Sequence, residues 1–275
     1  MTNELKSNSV NILGIAVDAL HMESALTHIA AALSQRRKGY VCMIGVHGIM
    51  EAQRDPRLAQ IYTRSTLAVP DGMPTVWLGR FQGFPQMQRV TGPDLMLEIF
   101  RRPEFADCTH FLYGGKEGVA EELRASFSKR CPSARIVGTY TPPFRDLTVE
   151  EEESVAAQIR SLNPHIVWVG ISTPKQERFM MRLLPLLEST LMFGVGAAFD
   201  FHTGRIKDAP NWVKRAGLQW LHRLLQDPRH LFWRYLRNNS AFCWNIAMQL
   251  TGIRVYPRSE IDRGFAGRSR AACDN

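Results

Sequence analysis

The chain contains no run of about 18 uninterrupted apolar residues, so no segment reads as a bilayer-spanning helix. The nearest approach, 183–201, is broken by Pro185, Glu188 and two glycines. The opening MTNELKSNSV lacks a basic stretch followed by an apolar one, so no secretory leader is expected. Cysteine is sparse. The five cysteines are odd in number and show no CxxC spacing, which argues against a disulfide framework and a zinc site and fits a reducing cytoplasm. No phosphate-binding Walker motif is present, because Lys116 is not followed at the right spacing by Ser or Thr. GVGAAF at 194–199 has two glycines of the dinucleotide fingerprint and lacks the third.

What is present is a chain of 275 residues, 45% apolar, enough for one large domain or a domain with an appendage. Its charge is unevenly placed. Residues 207–258 hold nine Lys/Arg against Asp208 and Asp227, which is +7 of the total +8. The same stretch holds four of the six tryptophans, Trp212, Trp220, Trp233 and Trp244. Basic and tryptophan-rich together is the composition of a membrane-surface segment. The plainer alternative is a helical subdomain with its tryptophans buried.

Periodicity divides the chain. Residues 10–20 read as a strand or hairpin. Short apolar runs at 40–46, 67–69, 109–113, 134–139, 166–171 and 191–195 read as strands. Helical patterns lie between them, at 22–37, 47–62 with an interruption at Pro56, up to Lys129 after GGKEG, 149–162, and 174–187 with a break at Pro185. Strands alternating with helices imply a Rossmann-like α/β fold, a mostly parallel sheet with helices on both faces. From Pro210 the period is helical. The expected organisation is an α/β catalytic core at 1–206, a basic, Trp-rich helical appendage at 207–258 and a flexible tail at 259–275.

The core is organised around 67–97, LAVPDGMPTVWLGRFQGFPQMQRVTGPDLML. Pro70 ends a strand, Asp71-Gly72 turn, and a helix follows, so a carboxylate sits where a strand hands over to a helix. In open α/β sheets that is where ligands bind. The motif alone reads as an aspartate capping Met73 or Pro74. Arg89, just before the helix start TGPD, reads either as an anion contact or as half of a surface salt bridge. GGKEG, with Gly114 and Gly115, reads either as a phosphate-binding turn or as a plain strand–helix connection. Gln176, in TPKQE, can offer both donors and an acceptor. Asp200 and His202 follow the last strand and form a second-choice base.

PDGMPTVWLGR and RVTGPDLM resemble blocks of the WecG/TagA/CpsF family of bacterial glycosyltransferases. The resemblance continues through FLYGGKEGVAEE, NPHIVWVGISTPKQERFM, GVGAAFDFHTGRIKDAPNWVKRAGLQWLHRL and DPRHLFWRYLRNN, in family order, over roughly residues 10–250. It implies an inverting, metal-independent enzyme without a cofactor. Such an enzyme moves a hexose or N-acetylhexosamine from a UDP-sugar to a polyprenyl-diphosphate-linked saccharide in surface polysaccharide synthesis. It would be cytoplasmic and peripheral on the inner face of the cytoplasmic membrane. The resemblance makes Asp71 the base and Arg89 and Gln176 substrate contacts. No Asp-x-Asp pair occurs to hold a divalent ion on the donor, so Arg223, Arg229 and Arg234 would neutralise the departing diphosphate. Many relatives end the second strand T-x-N-x-E. Here those positions are Met43, Gly45 and His47, and His47 would face the site instead.

The expected partners are the donor, the lipid-linked acceptor and an anionic membrane surface, with no nucleic acid. Oligomeric state is left open, a homo-oligomer included. Two other classes remain at this point. They are a nucleotide-dependent oxidoreductase on a Rossmann-like core, and a non-catalytic polyanion- or membrane-binding protein, which a pI near 9.5 would suit.

Overall fold

The computed structural model describes residues 8–258. The expected tail at 259–275 lies outside the described residues. The chain opens with an antiparallel hairpin, β1 (Ser9–Ile12) and β2 (Ile15–Asp18). Leu13 and Gly14 turn it with φ of 52° and 83°, the twist that a two-residue hairpin loop requires. Then follow α1 (Met22–Ser34), β3 (Gly39–Ile44), α2 (Val46–Ala52), α3 (Pro56–Arg64), β4 (Leu67–Pro70), α4 (Met73–Phe81) and α5 (Gly92–Arg101). The second half runs β5 (Thr109–Gly114), α6 (Val119–Arg130), β6 (Arg135–Tyr140), α7 (Val149–Leu162), β7 (Ile166–Gly170), α8 (Lys175–Leu183), β8 (Leu191–Gly194) and α9 (Ala198–His202). Three helices close the described chain, α10 (Asn211–Arg215), α11 (Gln219–Gln226) and α12 (Pro228–Leu250).

Six strands form one parallel sheet in the order β4-β3-β8-β7-β5-β6. Side chains alternate faces along each strand, and both faces are covered. Tyr40, Cys42 and Ile44 of β3 join a core with Phe111, Tyr113, Val167 and Met192. Val41 and Met43 join the opposite core with Leu112, Trp168 and Phe193. The α/β class and the strands expected from the apolar runs are therefore present. β8 lies beside β3, and the chain leaves these two strands on opposite faces of the sheet, β3 into α2 and β8 into α9, a reversal of side. The reversal opens a crevice at their carboxyl ends.

Proline placement explains the helix boundaries. The expected interruption at Pro56 is present: α2 ends at Ala52, and Pro56 sits in the first turn of α3, where Asp55 accepts from the Arg57 N–H at 3.0 Å. Pro185 lies in a short 3-10 turn that follows α8.

The carboxyl-terminal helices are packed onto the core. Phe242 of α12 and Tyr256 are buried in the same core as the hairpin. Gln249 of α12 accepts from the Leu13 N–H at 2.9 Å and donates to the Asn11 carbonyl at 3.0 Å. Asn11 in turn donates to the Tyr256 carbonyl at 2.9 Å. The segment 253–256, without regular structure, is tied to the hairpin by these contacts. The four tryptophans of this region are exposed, Trp233 at 73% and Trp212 at 68%, rather than buried as the plainer alternative required. Among the described residues, no helix is long and apolar enough to cross a membrane.

Candidate functional site

The crevice at the carboxyl ends of β4, β3, β8 and β7 is a cleft of about 680 Å³, roofed by α10, α11 and α12. It lies where the sheet topology places a ligand. Asp71, His47, Arg89, Gln176, Arg223 and Arg234 all line it. They come from six different segments, brought together by the fold alone.

Asp71 follows Pro70 directly, and its N–H donates to the Ile44 carbonyl at 3.0 Å. Gly45 makes this approach possible: a Cβ there would stand 2.5 Å from the Asp71 carbonyl oxygen. The residue is half-buried in the cleft wall. Burial pushes its carboxylate up to about 6, the Arg89 guanidinium pulls it down, and Asp94 adds a smaller push up. It is therefore ionised at neutral pH, yet far more basic than an exposed aspartate. It does not act as the cap of α4, for which no side-chain capping bond is formed.

Arg89 is held beside it. The Val90 N–H donates to the Pro70 carbonyl at 3.0 Å, which lays this segment along the end of β4. The guanidinium donates through Nη1 to Gln219 Oε1 and stands 3.5 Å from Asp94 Oδ2 through Nη2. Asp94 is itself fixed by the Thr91 hydroxyl, which donates to it at 2.7 Å.

His47 is neutral. Burial draws it below the ordinary histidine range, with Arg234 acting the same way, while Glu51 opposes. Its Nδ1 lies 2.9 Å from the Asn238 amide nitrogen. This contact joins α12 to the first turn of α2 inside the cleft.

Gln176 is buried, and its amide is already engaged at both ends. Its Nε2 donates to Glu177 Oε1 at 3.0 Å, and its Oε1 accepts from the Gly196 N–H at 3.0 Å. It braces the turn after β8, a part of the cleft wall. Glu177 is fully enclosed; burial pushes its carboxyl upward against the hydrogen bonds from Gln176 and Thr173.

The carboxyl-terminal arginines divide. Arg223 stands over the Phe201 ring at 5.3 Å and lines the cleft, as does Arg234, whose Nε is buried with no hydrogen-bond partner among the described residues. Arg229 is exposed at the start of α12 and is not among the lining residues.

Gly114 and Gly115 do not line the cleft either. A Cβ on Gly114 would stand 2.6 Å from the Gly170 carbonyl oxygen, so this glycine serves the close packing of β5 on β7. His202 points away, its Nε2 at 2.9 Å from the Pro93 carbonyl and its ring against Phe127. Neither it nor Asp200 lines the cleft.

Residue reasoning passed over Asn238, Gln219, Lys214, Trp77 and Thr173, all of them in the wall. Gln219 and Asn238 stand within GLQWLHRL and DPRHLFWRYLRNN, where attention to charge selected only the arginines.

A family model described as "Glycosyl transferase WecG/TagA/CpsF family" matches residues 10–255. The N-acetylglucosaminyldiphosphoundecaprenol N-acetyl-beta-D-mannosaminyltransferase of Bacillus subtilis (strain 168) is 30% identical over 186 residues, covering 68% of this chain and 69% of the relative. The enzyme of the same description from Bacillus spizizenii (strain ATCC 23059 / NRRL B-14472 / W23) is 27% identical over 214 residues, 78% of this chain and 80% of the relative.

Proposed function

The chain belongs to the WecG/TagA/CpsF family of glycosyltransferases, and on that premise we propose that it transfers a hexose or N-acetylhexosamine from a UDP-sugar to a polyprenyl-diphosphate-linked saccharide. The names of the two Bacillus relatives support an N-acetylglucosaminyl-diphospholipid as acceptor and an N-acetylmannosaminyl group as cargo. The observation that carries the reading is Asp71, a carboxylate lifted to about 6 in the wall of a cleft whose other charges are cationic.

In the proposed step the acceptor hydroxyl gives its proton to the Asp71 carboxylate. Its oxygen forms the new bond to C1 of the donor sugar. The C1–O bond to the diphosphate breaks on the opposite face, inverting that carbon, and the electron pair leaves with UDP. Arg89, Arg223 and Arg234 stabilise the charge that develops on the diphosphate, which makes a divalent ion unnecessary. Gln176 acts by holding the turn at Gly196 rather than by gripping the sugar directly.

Docking of the enzyme on anionic lipid follows from the same segment. Residues 207–258 carry +7 and expose four tryptophans, and each basic residue near an anionic bilayer contributes about 1 kcal/mol. This would bring the cleft to a lipid-borne acceptor on the inner face of the cytoplasmic membrane.

The test is a screen of UDP-sugars, UDP-N-acetylmannosamine included, against a short-chain N-acetylglucosaminyl diphosphoprenol, reading UDP release with EDTA present. Acceptor-dependent release of UDP is expected. A protein that releases UDP only when magnesium or manganese is added would overturn the arginine-based account of the leaving group.

A further inference from the structure

We propose that Gln219 is a positioning residue for Arg89, so that the first turn of α11 sets where the guanidinium stands relative to the Asp71 carboxylate. The inference rests on the reading of Asp71 as base and Arg89 as substrate contact.

The backbone places Arg89 next to Asp71 through the Val90–Pro70 hydrogen bond of 3.0 Å. The backbone alone does not aim the side chain, because an arginine has several rotatable bonds and five donors. Two groups do. Asp94 stands 3.5 Å away, a long contact, and its carboxylate also accepts from Thr91. Gln219 Oε1 makes the close contact, to Nη1. Arg89 is therefore steered from α11 as well as from α5, the former an element 130 residues further along the chain.

The chemistry of the partner matters. An amide carbonyl orients a guanidinium without cancelling its charge, so Arg89 keeps its full field on Asp71 and on an incoming phosphate. A carboxylate in its place would neutralise that charge. An apolar side chain would release Nη1. The freed donor would then be drawn toward the Asp71 carboxylate, on which Arg89 already acts. The charged groups acting on Asp71 are Arg89 and Asp94. The other titratable groups lining the cleft are His47 on α2, Lys214 on α10, Arg223 on α11, and Arg234, Tyr235 and Cys243 on α12. Of these, Lys214 is paired with Asp208. None of these six is itself replaced by a change at 219.

The experiment follows the Asp71 carboxyl titration by NMR in the full-length protein, assigned with Asp71→Asn, for wild type, Gln219→Met and Gln219→Glu. Turnover is measured in parallel with UDP-N-acetylmannosamine and the diphosphoprenol acceptor. Gln219→Met should lower the Asp71 midpoint from about 6 by at least about half a pH unit, a threefold change in ionisation, and Gln219→Glu should raise it. A residue that merely supported α11 would not move the midpoint in opposite directions in two variants that both melt cooperatively. Midpoints unchanged in both, or moved in the same direction, overturn the proposal. The two readings fail separately. Normal turnover by Asp71→Asn removes Asp71 as base but leaves the titration shifts as evidence on Gln219. An inactive Asp71→Asn with unmoved midpoints removes Gln219 alone.

Discussion

At the scale of single residues, two carboxylates sit in contrasting places, Asp71 half-buried at the cleft and Glu177 wholly inside. Asp71 borders the cleft and stays ionised at neutral pH, with a value near 6. Turnover should fall as pH drops through about 6, because a protonated carboxyl cannot take the acceptor's proton. Asp71→Asn should lower kcat by at least about a hundredfold while keeping a cooperative melt, the scale of losing a general base. An active variant would end the assignment. Glu177 lies wholly inside, its carboxyl raised by burial. The folded state holds its proton at pH values where the unfolded chain has released it. Its contribution to stability is thus full below the ordinary glutamate range and lost as pH rises from there through its raised folded-state value. Glu177→Gln keeps an oxygen for Thr173 and Gln176 and removes the ionisation. The variant should raise the melting midpoint at about pH 7 and raise it less at about pH 4; an equal effect at both would show that ionisation is not the cause.

At the scale of elements, the split among the arginines can be read directly. Arg223→Glu and Arg234→Glu should each cut turnover on a water-soluble acceptor analogue by about tenfold or more, since each removes a cation from the cleft wall and adds an anion. Arg229→Glu, on the exposed start of α12, should reduce vesicle binding in low salt and lower analogue turnover far less. Equal losses for all three would mean that field strength, not position, decides. The strands were legible in the sequence because a strand covered on both faces is a plain apolar run, as IVWVG at Ile166–Gly170 shows. The place of Asp71 at a strand end was legible too, because a proline and a glycine frame it, while its role as base came only from the resemblance. Long-range placement was not legible. Arg223 and Arg229 look alike in sequence, and only the docking of α11 and α12 separates them. Gly114 looked like a phosphate cradle because glycine tolerates any close neighbour, whether that neighbour is a ligand or, as here, the backbone of β7. Gln176 looked available because a sequence does not show that Gly196 and Glu177 already use its amide.

At the scale of the whole molecule, the proposed division at residue 206 has a physical cost. Removing everything after it takes Phe242 and Tyr256 out of the core and Gln249 away from β1. A chain cut there should lose its cooperative melt, not merely its lipid binding, because buried aromatic groups contribute several kcal/mol each, about 3–5 for Phe→Ala. A sharp melt in the truncated chain would show that the α/β part stands alone. The intact protein should float with anionic vesicles at low salt and be released as ionic strength rises toward about 1 M, where surface charges are screened within about 3 Å.

The link between Gln249 and Leu13 spans 236 residues. During synthesis at about 5–20 residues per second, the first hairpin waits roughly 10–50 s for the helix that completes its edge. For that interval the Leu13 N–H that Gln249 later satisfies faces water or a chaperone, and α12, the last helix among the described residues, is the one that takes it up.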